Sequence, residues 1–242
     1  MEKIKQKSLS VENILYIIIL VVGISIIVIN RIIRGFNDIL WISDIASIIG
    51  TIYIILVAKH IKWSLILSLI STSIIAFTNY YQGIWFNFAL NVCVNIPVAI
   101  YGFVTWNKNE KNDFNKTLNV LSKKARILVW GGYALAVPIF MTILYLIKSN
   151  LFYIDAIYNA GCFIGAFLCS KKYIDQFPIF IFANLSGITM YVILCTTNIN
   201  NLPLLLLNII YTIVNIIGYF NWKKLIKNLK TENNDQIIEN NS

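Results

Sequence analysis

From Trp63 to Asn107 the chain reads WSLILSLISTSIIAFTNYYQGIWFNFALNVCVNIPVAIYGFVTWN, 45 residues without one Asp, Glu, Lys or Arg. A helix needs roughly 20 apolar residues to cross a bilayer, so this stretch is long enough to cross twice. The polar run Thr78-Asn79-Tyr80-Tyr81-Gln82-Gly83 supplies the turn between the two passes. Gln176 to Trp222, 47 residues, is equally free of charge and breaks at the polar run 196–201. Asn13–Asn30 and Ile127–Ile147 are shorter gaps of 18 and 21 residues. The runs are continuously apolar, without the alternation of a transmembrane β-barrel.

The remainder of the composition agrees. Of 242 residues 58% are apolar and 13% charged, with a mean hydropathy of +0.71. A soluble domain carries about 45–50% and about 25%, so an ordinary soluble enzyme is excluded. The expected fold is an all-α polytopic membrane protein with eight transmembrane helices, near 14–31, 42–58, 63–78, 84–105, 127–147, 152–169, 177–195 and 202–221.

Basic residues set the orientation, because cytoplasmic loops are enriched in Lys and Arg. With eight spans, 17 of the 20 Lys and Arg fall on one side, and only Arg31, Arg34 and Lys148 on the other. Both termini are therefore expected in the cytoplasm, in a multi-pass protein of the plasma membrane. The net charge of +9 is explained by this topology and by attraction to anionic lipid of the bilayer, and no nucleic-acid partner is expected. The first apolar run has no small-x-small site after it, so it reads as a retained span. Cys93, Cys162, Cys169 and Cys195 read as small packing residues inside spans, and no disulfide framework or CxxC metal spacing exists. His60, between Lys59 and Lys62, reads as an ordinary interfacial loop residue.

The chain also repeats itself. Asp44…Gly50 matches Asp155…Gly161 at a displacement of 111, and Gly102-x-x-x-Trp106 matches Gly218-x-x-x-Trp222 at 116. Each copy holds three spans, and a single span near 127–147 lies between them. With that linker the two copies share an orientation, as parallel repeats about an axis along the membrane normal, which is a transporter plan. The expected organisation is a cytoplasmic N-terminus with an extra helix (1–38), a first triple-helix repeat (39–108), a cytoplasmic loop and linker helix (109–150), a second repeat (151–224) and a disordered cytoplasmic tail (225–242).

Residues that lipid does not welcome mark the expected pathway. Asn87, Asn91 and Asn95 recur at intervals of four and share one helix face. Asp155 and Asn159 repeat that spacing, Asn208, Tyr211 and Asn215 follow in the last span, and Asn184 lies in the seventh. Such groups need partners or a wet cavity, so interhelical bonding and a solvated path are both open for each. Pro97 and Pro138 read equally as hinges or static kinks.

At these residues a family resemblance emerges. Asn79 to Trp106, with its Asn95, Pro97 and Gly102-x-x-x-Trp106 order, resembles the PnuC transporters, and Lys171 to Asn184 resembles that family's Gln-Trp-x-x-Trp-x-x-x-Asn element. The resemblance covers about residues 40 to 224. It implies a SWEET-like 3+1+3 fold with one extra N-terminal helix, facilitated uptake of a nucleoside-like vitamin, in most members nicotinamide riboside, trapping by cytoplasmic phosphorylation, and a homotrimer. The substrate-binding residues it implies, together with the polar stripes, are Phe177, Phe180, Asn184, Gln82, Asn87, Asn91, Asn95, Asn159, Tyr211 and Asn215.

One departure bears on the substrate. Phe177 and Phe180 stand at the two family Trp positions, and Phe attracts a cationic ring less strongly than Trp. A deoxynucleoside or thiamine is the alternative cargo on the same fold. A mononucleotide is disfavoured physically, since a phosphate needs Arg, Lys or a helix N-terminus and every Lys and Arg here lies at a membrane edge or beyond. No nucleotide-hydrolysing loop is present and no cofactor is expected. Asp44 and Asp155 read as structural anchors of their helices, with proton relay as the alternative. A uniporter is the expected mechanism. The alternative of another class is a substrate-binding membrane subunit of an ATP-driven complex. A membrane-embedded enzyme is not expected, because one loop histidine supplies no catalytic constellation.

Overall fold

The structure, a computed structural model, describes residues 2–34, 40–61, 63–81, 85–108, 118–197 and 202–239. Among these residues there are eight helical rods. They are α1 (Glu2–Arg34), α2 (Leu40–Ala58), α3 (Ser64–Tyr81), α4 (Trp85–Lys108), α5 (Lys123–Leu146), α6 (Phe152–Ser170), α7 (Gln176–Thr197) and α8 (Leu202–Glu239). Among the described residues, six of them, α3 to α8, are long and apolar enough to cross a membrane, while α1 and α2 contain shorter apolar stretches, Asn13–Ile29 and Asp44–Ala58.

Helix faces that would be core in a soluble protein are bare here. Ile127, Leu128, Leu135 and Leu146 of α5 are all exposed, as suits surface that faces lipid tails or another apolar face. The buried residues instead gather where the helices meet. One cluster joins Tyr16 and Ile19 of α1 to Ile54 and Ala58 of α2 and Ile210 and Val214 of α8. A second joins Val57, Leu65, Trp106, Cys169, Phe177 and Trp222.

Both halves pack alike. In the first, α2 lies on α3 and α3 on α4; in the second, α6 lies on α7 and α7 on α8. Between halves, α2 contacts α8 and α4 contacts α6, while α5 rests on α6 and α1 on α2 and α8. Arg31 of α1 holds α2 through Asp44, its Nε donating to Oδ2 at 2.8 Å with Nη2 on the same oxygen.

α2 and α6 also end alike. Their chains turn through a residue in the left-handed region, His60 at φ 58° and Lys172 at φ 57°. The next amide reaches back five residues, Ile61 N to Leu56 O and Tyr173 N to Leu168 O, which is the Schellman way of closing a helix. Neither position is glycine, so each turn is held against its intrinsic cost by tertiary packing.

α4 is not uniform. Its central turn, Asn91–Asn95, is π-helical, and the Ile96 amide donates to Asn91 O, five residues back. Pro97 follows, and a proline has no N–H to give to the carbonyl four residues before it. The wider turn absorbs that interruption. Pro138, by contrast, sits inside α5 without interrupting its assignment as one α-helix.

One sequence expectation is corrected. His60 is buried, with 6% of its surface exposed: its ring stacks on Trp106 at 5.5 Å between centroids and meets Trp222 edge-on at 4.8 Å. The last helix, α8, continues past Trp222 to Glu239.

Candidate functional site

Two environments meet along the contact between the halves: a sealed end that carries the basic residues, and a polar interior beyond it.

The sealed end is built from both Gly-x-x-x-Trp motifs. Gly102 lets α4 approach so closely that an added Cβ would stand 3.0 Å from the Ser170 Cβ, and Gly218 brings α8 equally close to Ala58. One turn on, the Trp106 indole donates to Cys169 O at 3.2 Å and the Trp222 indole to Val57 O at 3.1 Å. Each tryptophan thus bonds the final turn of a helix in the other half. Lys172, 1% exposed, places its ammonium 5.3 Å from the centre of the Trp106 ring. Burial, and then the Lys172 charge, push the His60 imidazole down to about 3, so it is neutral at physiological pH.

Phe177 belongs to this end. It is fully buried, meets Trp222 edge-on at 5.2 Å, and lies across the face that Gly218 leaves open. Phe180, one turn further, lies against Gly165, where an added Cβ would stand 2.6 Å from its ring. Asn184, 3% exposed, follows at the next turn, where α7 crosses α6 at Gly161 and Ala183. The three residues of the α7 stripe therefore rise from the sealed end into the interior.

The interior is lined from several helices. The Tyr211 hydroxyl of α8 abuts Gly50 of α2, with Ser71 Oγ of α3 beside it. Tyr53 of α2 is 3.9 Å from the Cys169 thiol and hydrogen-bonds Ser68. Tyr158 of α6 hydrogen-bonds Cys162 and lies near Tyr191 and Tyr211. Asn159 donates to the Asp155 carboxylate at 2.7 Å and to its carbonyl at 3.0 Å. Asn215 donates to Tyr211 O at 2.8 Å and Asn208 to Leu204 O at 2.8 Å.

Several carboxamides are half-used. The Oδ1 atoms of Asn87, Asn208 and Asn215 are buried and meet no donor among the described residues, and in the fully buried Gln176 amide Oε1 meets no donor and Nε2 no acceptor there. Such a group costs about 1–3 kcal/mol where it stays unpaired, which is tolerable where a ligand or water completes it.

On α4 the carboxamides bond mostly to their own helix. Asn91 donates to Asn87 O at 2.8 Å and Asn95 to Asn91 Oδ1 at 2.9 Å. This ladder runs through the π-helical turn, which contacts α3 and α6. Gln82 lies outside the described residues. Tyr53, Tyr158 and Tyr191 line or border the interior and were not singled out by sequence, while Gln176, the Gln of the family element, sits beside Phe177 at the sealed end. A tyrosine inside an apolar run looks like a packing residue, and the only sequence signal for Tyr158 is its place beside Asn159 and three residues after Asp155.

The Asp44 carboxylate is held by Arg31, and Asp155 is the acidic group facing the interior of the second half. Every Lys or Arg within α2 to α7 lies in a terminal turn of its helix, and those of α8 all follow Trp222 at the basic end. The interior is therefore a wall of carboxamides, hydroxyls and aromatic rings with one carboxylate, suited to a neutral or cationic ligand that is flat and rich in hydroxyls.

Comparisons with known proteins agree with this geometry. Residues 40–224 match the family model described as nicotinamide mononucleotide transporter. The nicotinamide riboside transporter PnuC of Neisseria mucosa is 25% identical over 205 residues, covering 82% of this chain and 78% of its own. A crystal structure of the vitamin B3 transporter PnuC shares the fold at a TM-score of 0.70 and 22% identity, covering 88% of this chain and 92% of that one.

Proposed function

Since the chain belongs to the nicotinamide mononucleotide transporter family, and is thus a multi-pass membrane transporter rather than an enzyme, we propose that it takes up nicotinamide riboside by facilitated diffusion. The observation that carries this choice of cargo is the lack of any Lys or Arg along the described interior, where a phosphate would need one. Nicotinamide riboside has no phosphate, carries one positive charge on a flat ring, and offers hydroxyls and a carboxamide. Asp155 balances the charge at a distance, the aromatic rings of Phe180 and the interior tyrosines stack on the base, and Asn159, Asn184, Asn208 and Asn215 bond the polar groups. Phosphorylation in the cytoplasm then traps the cargo.

The transport cycle we infer is alternating access by two triple-helix bundles, α2–α4 and α6–α8, in an eight-span, SWEET-like 3+1+3 arrangement with α1 as the extra helix and α5 as the linker. The matched neighbours of the two halves and the reciprocal tryptophan bonds support it. The excess of Lys and Arg at one end supports cytoplasmic termini in the plasma membrane. A homotrimer is the proposed assembly, on the family resemblance alone.

Uptake into liposomes holding only this protein tests the reading. Nicotinamide riboside should enter to equilibrium and saturate, with nicotinamide mononucleotide excluded. Preferential entry of the mononucleotide would overturn it. Entry of thymidine, deoxyadenosine or thiamine instead would favour the second reading, for which the phenylalanines at 177 and 180 speak. Binding without entry would point to a subunit that depends on a separate ATPase.

A further inference from the structure

Outside the pathway, at the basic end, a cavity of about 390 Å³ opens between α5, α7 and α8. That is within the range of about 300–1,000 Å³ typical of small-ligand sites. Its polar wall is Arg126, Asp175 and Lys223; its apolar wall includes Trp130, Tyr219 and Ile226. The Asp175 carboxylate is fully engaged. One oxygen accepts from Arg126 Nε at 2.7 Å and the other from the Leu121 amide at 2.9 Å. The carboxylate therefore fixes the guanidinium, whose two terminal nitrogens meet no acceptor among the described residues while the side chain is 48% exposed. Lys223 stands across the cavity with its ammonium 5.9 Å from the centre of the Tyr219 ring, and adds a positive charge that no carboxylate offsets among the lining residues.

The height of the cavity identifies its ligand. Immediately after Arg126, α5 turns Ile127 and Leu128 outward with about three-quarters of their surface exposed, as for residues in hydrocarbon. Trp130 and Tyr219 line the cavity itself, and indole and phenol rings are favoured at the headgroup level. A ligand held here has an anion at the two cations and a hydrocarbon tail along the helices. We propose that this cavity binds the headgroup of an anionic phospholipid of the basic-side leaflet, with the phosphate on Arg126 Nη and Lys223 Nζ and an acyl chain along Trp130 and Ile127. The helices it joins are the linker α5 and the last two of the second half, so the lipid ties the linker to that bundle.

Native mass spectrometry of the intact protein in detergent, titrated with phosphatidylglycerol, phosphatidylcholine or inorganic phosphate, tests the proposal. Phosphatidylglycerol should be retained at least tenfold more tightly than phosphatidylcholine. Lys223→Gln should weaken that retention about fivefold, whereas Lys224→Gln, an equal charge change outside the cavity, should alter it less than twofold. Arg126→Lys, which keeps the charge but loses the fork, serves as a second variant and should also weaken it, even if Lys223→Gln folds poorly. Equal retention of the two lipids, equal effects of the Lys223 and Lys224 variants, or displacement of the lipid by millimolar phosphate would each overturn the assignment.

Discussion

Trp106 and Trp222 stand 6.5 Å apart between ring centroids, and each donates its indole N–H across the junction of the two halves. Because the two bonds match in length and in the kind of carbonyl they reach, they should matter alike. Trp106→Phe and Trp222→Phe should each cost about 1–2 kcal/mol, for a lost buried hydrogen bond and reduced packing. Thermal unfolding in detergent measures this. A large cost for one and none for the other would contradict the equivalence.

The α7 stripe should divide by function. Phe177→Ala empties a fully enclosed position and should destabilise the protein by about 3–5 kcal/mol. Phe180→Ala, at a half-buried ring, should lower the melting temperature less while weakening nicotinamide riboside binding about tenfold. Tryptophan-quench titration beside a melting curve separates the two effects. Loss of binding without destabilisation in the Phe177 variant would place that ring in the binding site instead.

Gln176 presents an unusual opportunity for a gain. Its buried amide meets no partner on either atom among the described residues, so Gln176→Met, similar in volume and free of that desolvation cost, should raise thermal stability by about 1–2 kcal/mol. Uptake should fall, because the amide then has nothing to offer when the halves part. Unchanged stability together with unchanged uptake would show that the amide is already satisfied and idle.

His60 sets a pH limit. Its folded-state value of about 3 lies below the usual 6.5, so between those values the unfolded chain binds a proton that the folded one refuses. Stability is then full above about pH 6.5 and falls as pH drops toward 3, by up to about 1.4 kcal/mol per unit. His60→Asn, which suits the left-handed backbone, should flatten the slope between pH 4.5 and 6.5. An equal slope in the variant would assign it to other groups.

The α-helical architecture was readable in the sequence because lipid imposes a coarse rule: long runs without charge become helices. The pairing of Gly102 and Trp106 with Gly218 and Trp222 was readable too, since these are rare residue types in an Ile-rich chain. The position of His60 was not. Flanked by Lys59 and Lys62, it looks solvated, and only the meeting of two tryptophans distant in sequence buries it. The stripe of Asn87, Asn91 and Asn95 was visible as one face, but not the π turn, which depends on how Pro97 is accommodated. Phe177 illustrates the limit for the site. The family resemblance names it as a site residue, and its contact with Gly218, forty-one residues later, could not be read from that motif.

The reciprocity of the two indole bonds also constrains how the basic end comes apart. Trp106 belongs to one bundle and bonds the other, and Trp222 does the reverse. A displacement that pulls the bundles apart therefore strains both bonds together and gains nothing by breaking one first. On the alternating-access cycle proposed above, the basic end would then open as a cooperative latch rather than one bond at a time.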